Sequence, residues 1–499
     1  MNINPIEEMK TKNITKNVGL KDTSEGGESL SLAPAGKPSS ATPSAGVGSG
    51  TAKQGKNSRC EFLASLEATC CARTPATPPK CHTDSISLTR NQGKHNSRKK
   101  NYEELKAFIP QTGNEENYAL LTHYLMMKND SAKANKRKEL IEKFSFAEEK
   151  ITEAENFFNA KKIPFTSKPD SSFTFIDLFA GIGGFRLAMQ ANGGECVFSS
   201  EWDDAAKQTY YENYGEVPFG DITKEETKAL IPEHFDVLCA GFPCQPFSNA
   251  GLKKGIEDTR GTLFYHIAEI LNVHKPKAVF LENVRGLISN DNGNTIRIVL
   301  KTITSMGYKC NISSELIENG SLQKLKTEAA KLVLSAKDYG VPQNRPRIYI
   351  VLWREDVAIE NFLYPIPQKK KVSVGSILEK SVSNVYTISD RLWAGHQKRR
   401  VENQKKGNGF GYCLFNSESP YTSTISRRYY KDGSEILIEQ IGKNPRKLTP
   451  REAANLQGFP KSFHIPQSDT KAYQQFGNSV AVPVVQLVSE QIVKQILEK

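Results

Sequence analysis

The chain is 499 residues long, which is enough for two or three domains with a sizeable hydrophobic core. Lysine and arginine number 67 against 55 aspartate and glutamate residues, and the resulting net charge of +12 favours a polyanionic partner such as nucleic acid. The nine cysteines lack the even framework of a secreted disulfide fold, so the composition favours a reducing cytosol. The sequence shows no run of about 18 apolar residues and no signal-peptide pattern, so we expect neither a membrane span nor secretion.

Residues 1–100 are rich in Ser, Thr, Gly, Pro and Lys and have no sustained hydrophobic periodicity. Such a segment cannot bury enough apolar surface to offset its ordering entropy, so we predict a disordered, low-complexity tail. The cysteines of this tail lack the Cys-x-x-Cys pairs of zinc sites, and unpaired thiols are favoured over a metal site. The residues concerned are Cys60, Cys70, Cys71, Cys81 and His82.

Residues 101–170 have a different pattern, because apolar residues recur at near-helical spacing among Glu and Lys between positions 102 and 160. This spacing predicts two or three amphipathic helices, which form a helical N-terminal extension. The pattern leaves two roles open for them, a docking appendage on the main domain or an interaction module.

Short β-rich runs alternate with helical stretches over residues 171–353. The alternation predicts an α/β fold with a parallel, doubly wound sheet and helices on both faces. Periodicity is lost over residues 354–446, where Gly, aromatic and basic residues predict a smaller strand-and-loop domain. The α/β character returns over residues 447–499, with Pro450 opening a helix. The predicted strands are residues 173–179, 195–200, 235–238, 278–281 and 347–352.

The turn after the first predicted strand is rich in glycine, with the sequence Asp-Leu-Phe-Ala-Gly-Ile-Gly-Gly-Phe at 177–185. Glycines at such a turn let a ligand approach the backbone, although the turn alone is weak evidence. The next strand ends in Glu201-Trp202, a carboxylate suited to a ribose diol and an indole suited to a purine. Asp221 adds an acceptor for the exocyclic amine of adenine. Because a P-loop lysine and a full dinucleotide fingerprint are missing, these residues favour an adenosine-type cofactor without a phosphate to bind.

Cys244 follows a buried-strand pattern at 235–239 and is flanked by Pro243 and Pro246. A lone cysteine near a strand end is more often a buried hydrophobe than a nucleophile, so its neighbours decide between the two. Glu282 follows another predicted strand, and an acid in a partly dry crevice can stay protonated and act as a donor. Arg345 and Arg347 precede the last strand and add cations. Glu282 taken alone could form a surface salt bridge, and the two arginines taken alone could be a solvated pair. All these residues taken together favour group-transfer chemistry.

In order and spacing these motifs resemble those of the DNA (cytosine-5)-methyltransferases of bacterial restriction–modification systems, including the Dcm-like group. The resemblance runs from Phe173 to the C-terminus, and an ordered series of motifs is far more specific than any one of them. The matching residues are 177–184, 201–202, 220–221, 241–245, 258–264, 282–284, 343–347, 448–452, 456–460 and 477–480.

The resemblance implies a Rossmann-like methyltransferase fold in which residues 354–446 are the target-recognition domain. It also implies that the Cys244 thiolate adds to C6 of cytosine while Glu282 binds and protonates N3, so that C5 can attack the methyl group of S-adenosyl-L-methionine. Arg347 would contact the base near its carbonyl oxygen, and Arg345 would support the site. The target cytosine must leave the base stack to reach Cys244, which implies base flipping.

The resemblance also implies the cofactor contacts and the partners. Residues 245–262 are the expected lid over the DNA. Duplex DNA is the expected substrate, a cognate restriction endonuclease is a candidate partner, and a monomer in the bacterial cytoplasm with no membrane partner is expected. Segments 407–412 and 429–438 resemble those of members that read short CC…GG sites. The implied S-adenosyl-L-methionine contacts are Phe179, Gly181, Gly183, Glu201, Trp202, Asp221, Ile222, Pro243, Leu263 and Asn478.

Two other functions compete with this interpretation. A tRNA cytosine-5 methyltransferase shares the scaffold, but such proteins carry a Cys-Phe-Thr tripeptide, whereas here Cys413 is followed by Leu414 and Phe415. A DNA-binding regulator would instead use the helical segment 102–160 and the basic tail to hold operator DNA. Incubation with a labelled methyl donor and either duplex DNA or tRNA distinguishes the three functions.

Overall fold

The computed structural model describes residues 103, 105–111, 114–243, 262–368, 372–466 and 468–498. The predicted tail at 1–100, with its cysteines and His82, lies outside the described residues. The candidate nucleophile Cys244 and residues 245–261 of the expected lid also lie outside them. The described residues belong to one unit of the chain, Ser87–Lys499.

A mixed seven-stranded sheet forms the centre of this unit, in the order β2-β1-β3-β4-β7-β5 with β6 also paired to β7. Strands β1 to β4 are parallel, whereas β7 runs antiparallel to β4 and to both short strands. The strands are β1 (Phe173–Leu178), β2 (Gly194–Ser200), β3 (Val237–Ala240), β4 (Ala278–Val284), β5 (Tyr308–Lys309), β6 (Val333–Ser335) and β7 (Pro346–Arg354).

The predicted α/β fold is confirmed, but the expectation of a wholly parallel sheet is wrong. Strand β7 is entered from β6 through residues 336–345, and this connection folds back so that Ser335 pairs with Pro346. A return of this kind makes antiparallel neighbours, whereas parallel neighbours need a crossover. Strand β7 also pairs antiparallel with β4 as far as Val284, so β4 ends three residues beyond the predicted strand and Glu282 lies within it.

Helices cover both faces of the sheet and precede it. The helix predicted at Pro450 begins at that residue, behind a capping box formed by Thr449 and Glu452. The helices are α1 (Asn117–Met126), α2 (Asp130–Glu142), α3 (Glu148–Asn159), α4 (Gly184–Ala191), α5 (Asp204–Tyr214), α6 (Glu225–Lys228), α7 (Leu263–His274), α8 (Asn294–Thr304), α9 (Ser314–Asn319), α10 (Leu322–Ala330), α11 (Asp390–Lys405), α12 (Pro450–Leu456), α13 (Asp469–Asn478) and α14 (Val482–Ile492).

The C-terminal helices are apolar enough to raise the question of a membrane. By length and composition, Asp469–Leu497 could cross one. However, 56% of its most apolar window is buried inside the protein, and residues 479–481 divide it into α13 and α14. The segment is therefore a pair of helices that pack in the protein core.

The N-terminal helices share a core with the sheet. Leu120 and Tyr124 of α1 and Ile151 of α3 are buried in one hydrophobic cluster with Ile176 of β1 and Phe198 of β2. Of the two roles that the sequence leaves open, the structure therefore shows helices docked on the main body. The opposite face of the sheet is covered by α4 and α14.

The region between residues 372 and 446 contains a parallel pair of two-residue strands, β8 (Leu414–Phe415) and β9 (Leu437–Ile438). It also contains α11, a 16-residue helix where strands and loops are predicted. His396 is the one buried residue of α11. The helix therefore has no apolar stripe, and hydrophobic periodicity gives no sign of it.

A buried ion pair joins this region to α12. Both guanidinium Nη atoms of Arg446 bond the carboxylate of Glu452, at 2.7 and 2.8 Å, and the side chains are 7% and 0% exposed. Removing one partner leaves an uncompensated charge in the interior.

We predict that Arg446→Ala lowers the free energy of unfolding by about 3–5 kcal/mol, because Glu452 stays buried without its cation. Lys301→Ala is the matched control. Lys301 pairs with Glu318 on the surface, where both side chains are about 40% exposed, and its loss should cost at most about 1 kcal/mol. Urea denaturation of both variants measures the difference, and equal small losses would contradict the burial argument.

Candidate active site

The candidate site residues gather at one edge of the sheet. Strands β1 to β4 are parallel, so their carboxyl ends meet at that edge, where open α/β sheets bind ligands. Because β7 is antiparallel to β4, it begins at the same edge and brings Arg347 opposite Val284. The geometry of the sheet therefore collects residues from four separate parts of the chain.

The glycine-rich turn after β1 has an unusual backbone. Phe179 adopts φ 57° and Gly181 φ 56°, both in the left-handed region. Gly183 also has positive φ, and a side-chain carbon there would lie 2.3 Å from the Tyr214 ring. By contrast, a side-chain carbon on Gly181 would meet nothing within 4 Å. The turn therefore packs tightly on Tyr214 and opens at Gly181.

Glu201, at the end of β2, accepts three backbone hydrogen bonds. The donors are the N–H groups of Gly181, Trp202 and Asp203, at 2.8, 2.9 and 2.8 Å. Burial raises the pKa of Glu201, and the three N–H groups oppose that rise. The neighbouring Trp202 is 77% exposed, which leaves its indole face available to a ligand.

Asp221 lies on a segment that pairs with the end of β2. Phe219 donates its N–H to Ser199 and accepts from Glu201 N, at 2.8 and 2.9 Å. The Asp221 carboxylate accepts from Thr223 N at 2.9 Å, and Ile222 is buried in the core. The structure thus brings the Asp221 loop beside Glu201.

The C-terminal chain returns to the glycine-rich turn. A side-chain carbon on Gly184 would lie 2.7 Å from Val480 and 3.0 Å from the Ser479 hydroxyl. Asn478, the last residue of α13, is exposed just before these two residues. Asn478 therefore lies close to the turn in space although it is far from it in sequence.

Glu282 lies near the end of β4, with an arginine and the loop after β3 beside it. Its Oε1 is 3.2 Å from Arg347 Nε but makes no hydrogen bond among the described residues. A side-chain carbon on Gly241 would lie 3.9 Å from Glu282 Oε2. Burial raises the pKa of Glu282, while Arg347 and Arg345 oppose the rise. This is a desolvated carboxyl group that can hold a proton.

Asn283 fixes the loop that leads to Cys244. Its Nδ2 donates to the Phe242 carbonyl at 2.9 Å, and Pro243 follows with an exposed side chain. The sequence places Asn283 in a motif but assigns it no role, because its partner lies on another strand's loop. Leu263, at the other end of the undescribed segment, is half-buried at the start of α7.

Arg345 is bound to the main chain of two other segments. Its Nη atoms donate to the carbonyls of Ile425, Gly477 and Ser479, at 3.1, 3.3 and 2.6 Å. Burial lowers the pKa of Arg345 to about 9, so it remains a cation at neutral pH. The contacts connect β7, residue 425 and the end of α13, which suits a supporting residue.

Part of segment 429–438, which resembles segments of family members that read CC…GG sites, is buried. Tyr429 is fully buried, and its hydroxyl donates to the Ile436 carbonyl and accepts from Leu448 N. Leu437 and Ile438 are also buried. Arg427, Arg428 and Lys431 are exposed beside Tyr429, and the acidic Glu439 is exposed after Ile438.

The sequence profile described as "C-5 cytosine-specific DNA methylase" matches residues 173–494. The chain belongs to this family. This DNA (cytosine-5)-methyltransferase is 53% identical over 333 residues to the type II methyltransferase M.SsoII of Shigella sonnei, covering 66% of this chain and 82% of the relative. The type II methyltransferase M.HpaII of Haemophilus parainfluenzae is 46% identical over 343 residues, covering 66% and 90% of the two chains.

Among solved structures, the Dnmt2 methyltransferase of S. pombe aligns with a TM-score of 0.48 at 18% identity. The alignment covers 64% of this methyltransferase and 98% of that chain. This similarity is too low to add to the family assignment.

We predict that Glu282→Gln stabilises the methyltransferase at neutral pH. The folded-state pKa of Glu282 is raised, so ionisation destabilises the folded state as pH rises above the usual value near 4.5. The gain in melting temperature over the wild type should therefore grow as pH rises from about 4.5 and level off above the raised folded-state pKa. Glu418→Gln, at an exposed loop position, is the charge-matched control. A gain in melting temperature that does not change with pH would contradict a raised pKa of Glu282.

Proposed function

We propose that this methyltransferase transfers a methyl group from S-adenosyl-L-methionine to C5 of a flipped cytosine in a short, specific duplex DNA site. The observation that carries the proposal is the position of Glu282. A buried carboxyl with a raised pKa lies beside Arg347 and beside the loop that leads to Cys244. The same edge of the sheet carries Glu201 and the exposed Trp202.

The residues present fit S-adenosyl-L-methionine. Gly181 borders open space and Trp202 presents an exposed indole. Glu201 Oε2 accepts one backbone N–H and has a further lone pair for a ribose hydroxyl. We propose that Phe179, Gly181, Gly183, Glu201, Trp202, Asp221, Ile222, Pro243, Leu263 and Asn478 hold this cofactor. When bound, it supplies an electrophilic methyl group.

The protein's part in the chemistry is to make C5 of cytosine nucleophilic. In the proposed reaction the Cys244 thiolate forms a bond to C6 while Glu282 gives its proton to N3, which leaves electron density at C5. The raised pKa of Glu282 supports this role, because a donor must hold its proton near neutral pH. After methylation, solvent accepts the C5 proton, and the electron pair of that C–H bond restores the C5–C6 double bond as the bond between C6 and sulfur breaks. N3 returns its proton to Glu282, and the Cys244 thiolate is released.

The two arginines have different proposed roles. Arg347 lies 3.2 Å from Glu282 and has a partly exposed side chain, which supports a contact with the carbonyl oxygen of the base. Arg345 bonds three main-chain carbonyls, which supports a role in holding the end of α13 and residue 425 in place. We therefore propose direct contact for Arg347 and support for Arg345.

We propose that residues 354–446, which the structure describes at 354–368 and 372–446, form the target-recognition domain. The exposed cations Arg427, Arg428 and Lys431 suit contacts with DNA phosphates or base edges. The similarity to M.SsoII and M.HpaII supports a place in a type II restriction–modification system. A CC…GG-type site, a cognate endonuclease, a monomer and a cytoplasmic location complete the proposal.

The test is incubation of the full chain with methyl-labelled S-adenosyl-L-methionine and either duplex DNA or tRNA. We expect label in DNA alone, as 5-methylcytosine, because the chain belongs to the DNA methylase family. Methylation mapping of DNA from an expressing host then identifies the site. Label in tRNA alone would contradict the proposal, and label in neither would favour a DNA-binding regulator.

A further inference from the structure

Helix α1 and the residue before it bind the segment that carries Asp221 and Ile222. We call residues 216–227 the Asp221 strip. It leaves α5, pairs with the end of β2 through Phe219 and ends in α6. The exposed Glu115 pairs with Lys224 of the strip, and three further residues of the N-terminal side contact the strip through buried or half-buried side chains; all lie outside the region matched by the family profile. These three are Glu116, Thr122 and His123.

Glu116 is a buried carboxylate whose bonding partners all lie on the strip. It is 4% exposed and accepts from Gly220 N at 2.8 Å and from the Thr227 hydroxyl at 2.6 Å. Within the described part of the chain, no lysine, arginine or histidine pairs with it. Burying a carboxylate is unfavourable unless donors compensate, and here the donors are those of the strip. The position of the strip and the burial of this charge therefore depend on each other.

The other two contacts hold the start of the strip. Thr122 Oγ1 accepts from Val217 N at 2.9 Å. The His123 ring lies 4.7 Å from the Phe219 ring, and its Nδ1 is 3.6 Å from Glu216. Burial lowers the pKa of His123 to about 4, so it packs as a neutral ring at neutral pH. Thr122 and His123 thus contact the strip before Asp221. Glu116 bonds the strip on both sides of Asp221, at Gly220 and at Thr227.

We propose that Glu116 is a positioning residue for cofactor binding, through which the N-terminal helices form part of the cofactor site. The Gly220 N–H that Glu116 accepts belongs to the residue directly before Asp221. Phe219 on the other side is paired with Ser199 and Glu201. Glu116 therefore sets the position of Asp221 relative to Glu201. This inference rests on the proposed function, because it takes Asp221 as a contact of the purine.

The test measures the Kd of S-adenosylhomocysteine by calorimetry on full-length Glu116→Ala. We expect binding to weaken by about tenfold or more, because Gly220 N–H and the Thr227 hydroxyl lose their acceptor and the strip is released. The DNA affinity and kcat at saturating cofactor should stay within about twofold to threefold, since among the described residues no hydrogen bond, ion pair or ring contact joins the strip to Glu282 or to the recognition region.

Two variants separate positioning from loss of folding. Glu116→Gln keeps an acceptor of the same length and should bind within about threefold of the wild type. Glu115→Ala is the matched control, because Glu115 is 76% exposed and only its surface pair with Lys224 is lost. Its Kd should be unchanged.

A second measurement comes from the opposite side of the same contact. A side-chain carbon on Gly220 would lie 2.8 Å from Glu116 Oε1, so Gly220→Ala should displace the carboxylate. If the two residues act through one contact, adding Glu116→Ala to Gly220→Ala should weaken binding no further. If Glu116→Ala does not fold, the Kd of Gly220→Ala is compared with the Kd of Glu116→Gln, and the test remains decisive.

Trp202→Ala is the positive control for the cofactor site. If it weakens binding while Glu116→Ala and Gly220→Ala bind as the wild type does, the inference is overturned and the proposed function stands. If the wild type binds no S-adenosylhomocysteine, both are overturned. Selective weakening in Glu116→Ala, with Glu116→Gln and Glu115→Ala near the wild type, supports the inference.

Discussion

The antiparallel pairing of β7 with β4 is the constraint on which the site depends. A strand parallel to β4 would begin at the opposite edge of the sheet and carry Arg347 away from Glu282. In the observed register Arg347 lies opposite Val284 and Glu282 opposite Tyr349, so acid and cation end at the same edge. The same edge receives the glycine-rich turn, Glu201 and the loop after β3. The mixed sheet therefore brings distant motifs together through the pairing of its strands.

Buried carboxyl groups recur around this edge, and each has a different environment. Glu201 is held by three backbone N–H groups, which favour its ionised form. Glu282 has an arginine nearby but no hydrogen bond to Oε1, and burial keeps its pKa raised. Glu116 is bonded by donors of the Asp221 strip. The environments suit an acceptor for hydroxyl groups, a proton donor and a positioning group, so one residue type serves three purposes.

Local patterns in the sequence predict much of this arrangement, and contacts between distant segments limit the rest. The glycine-rich turn, Glu201 and the helix at Pro450 depend on neighbours within a few residues, and the structure has each of them where the pattern indicates. Helix α11 was missed because it buries only His396 and so has no apolar stripe. Glu116 resembles an ordinary acidic residue at a helix start, and its partners at 220 and 227 are about a hundred residues away. Asn283 and the direction of β7 were missed for the same reason, because each depends on a pairing across the sheet.

Covalent trapping tests most directly whether Cys244 attacks a flipped cytosine with Glu282 as the proton donor. In duplex DNA with 5-fluorocytosine at the mapped site, fluorine replaces the C5 proton whose loss releases the cysteine. With S-adenosyl-L-methionine present, we expect a denaturation-resistant complex in which peptide mapping finds the DNA on Cys244. Cys244→Ala should form no such complex, and Glu282→Gln should form it more slowly. A complex of the same yield with Cys244→Ala, or one mapped to another residue, would show that Cys244 is not the nucleophile.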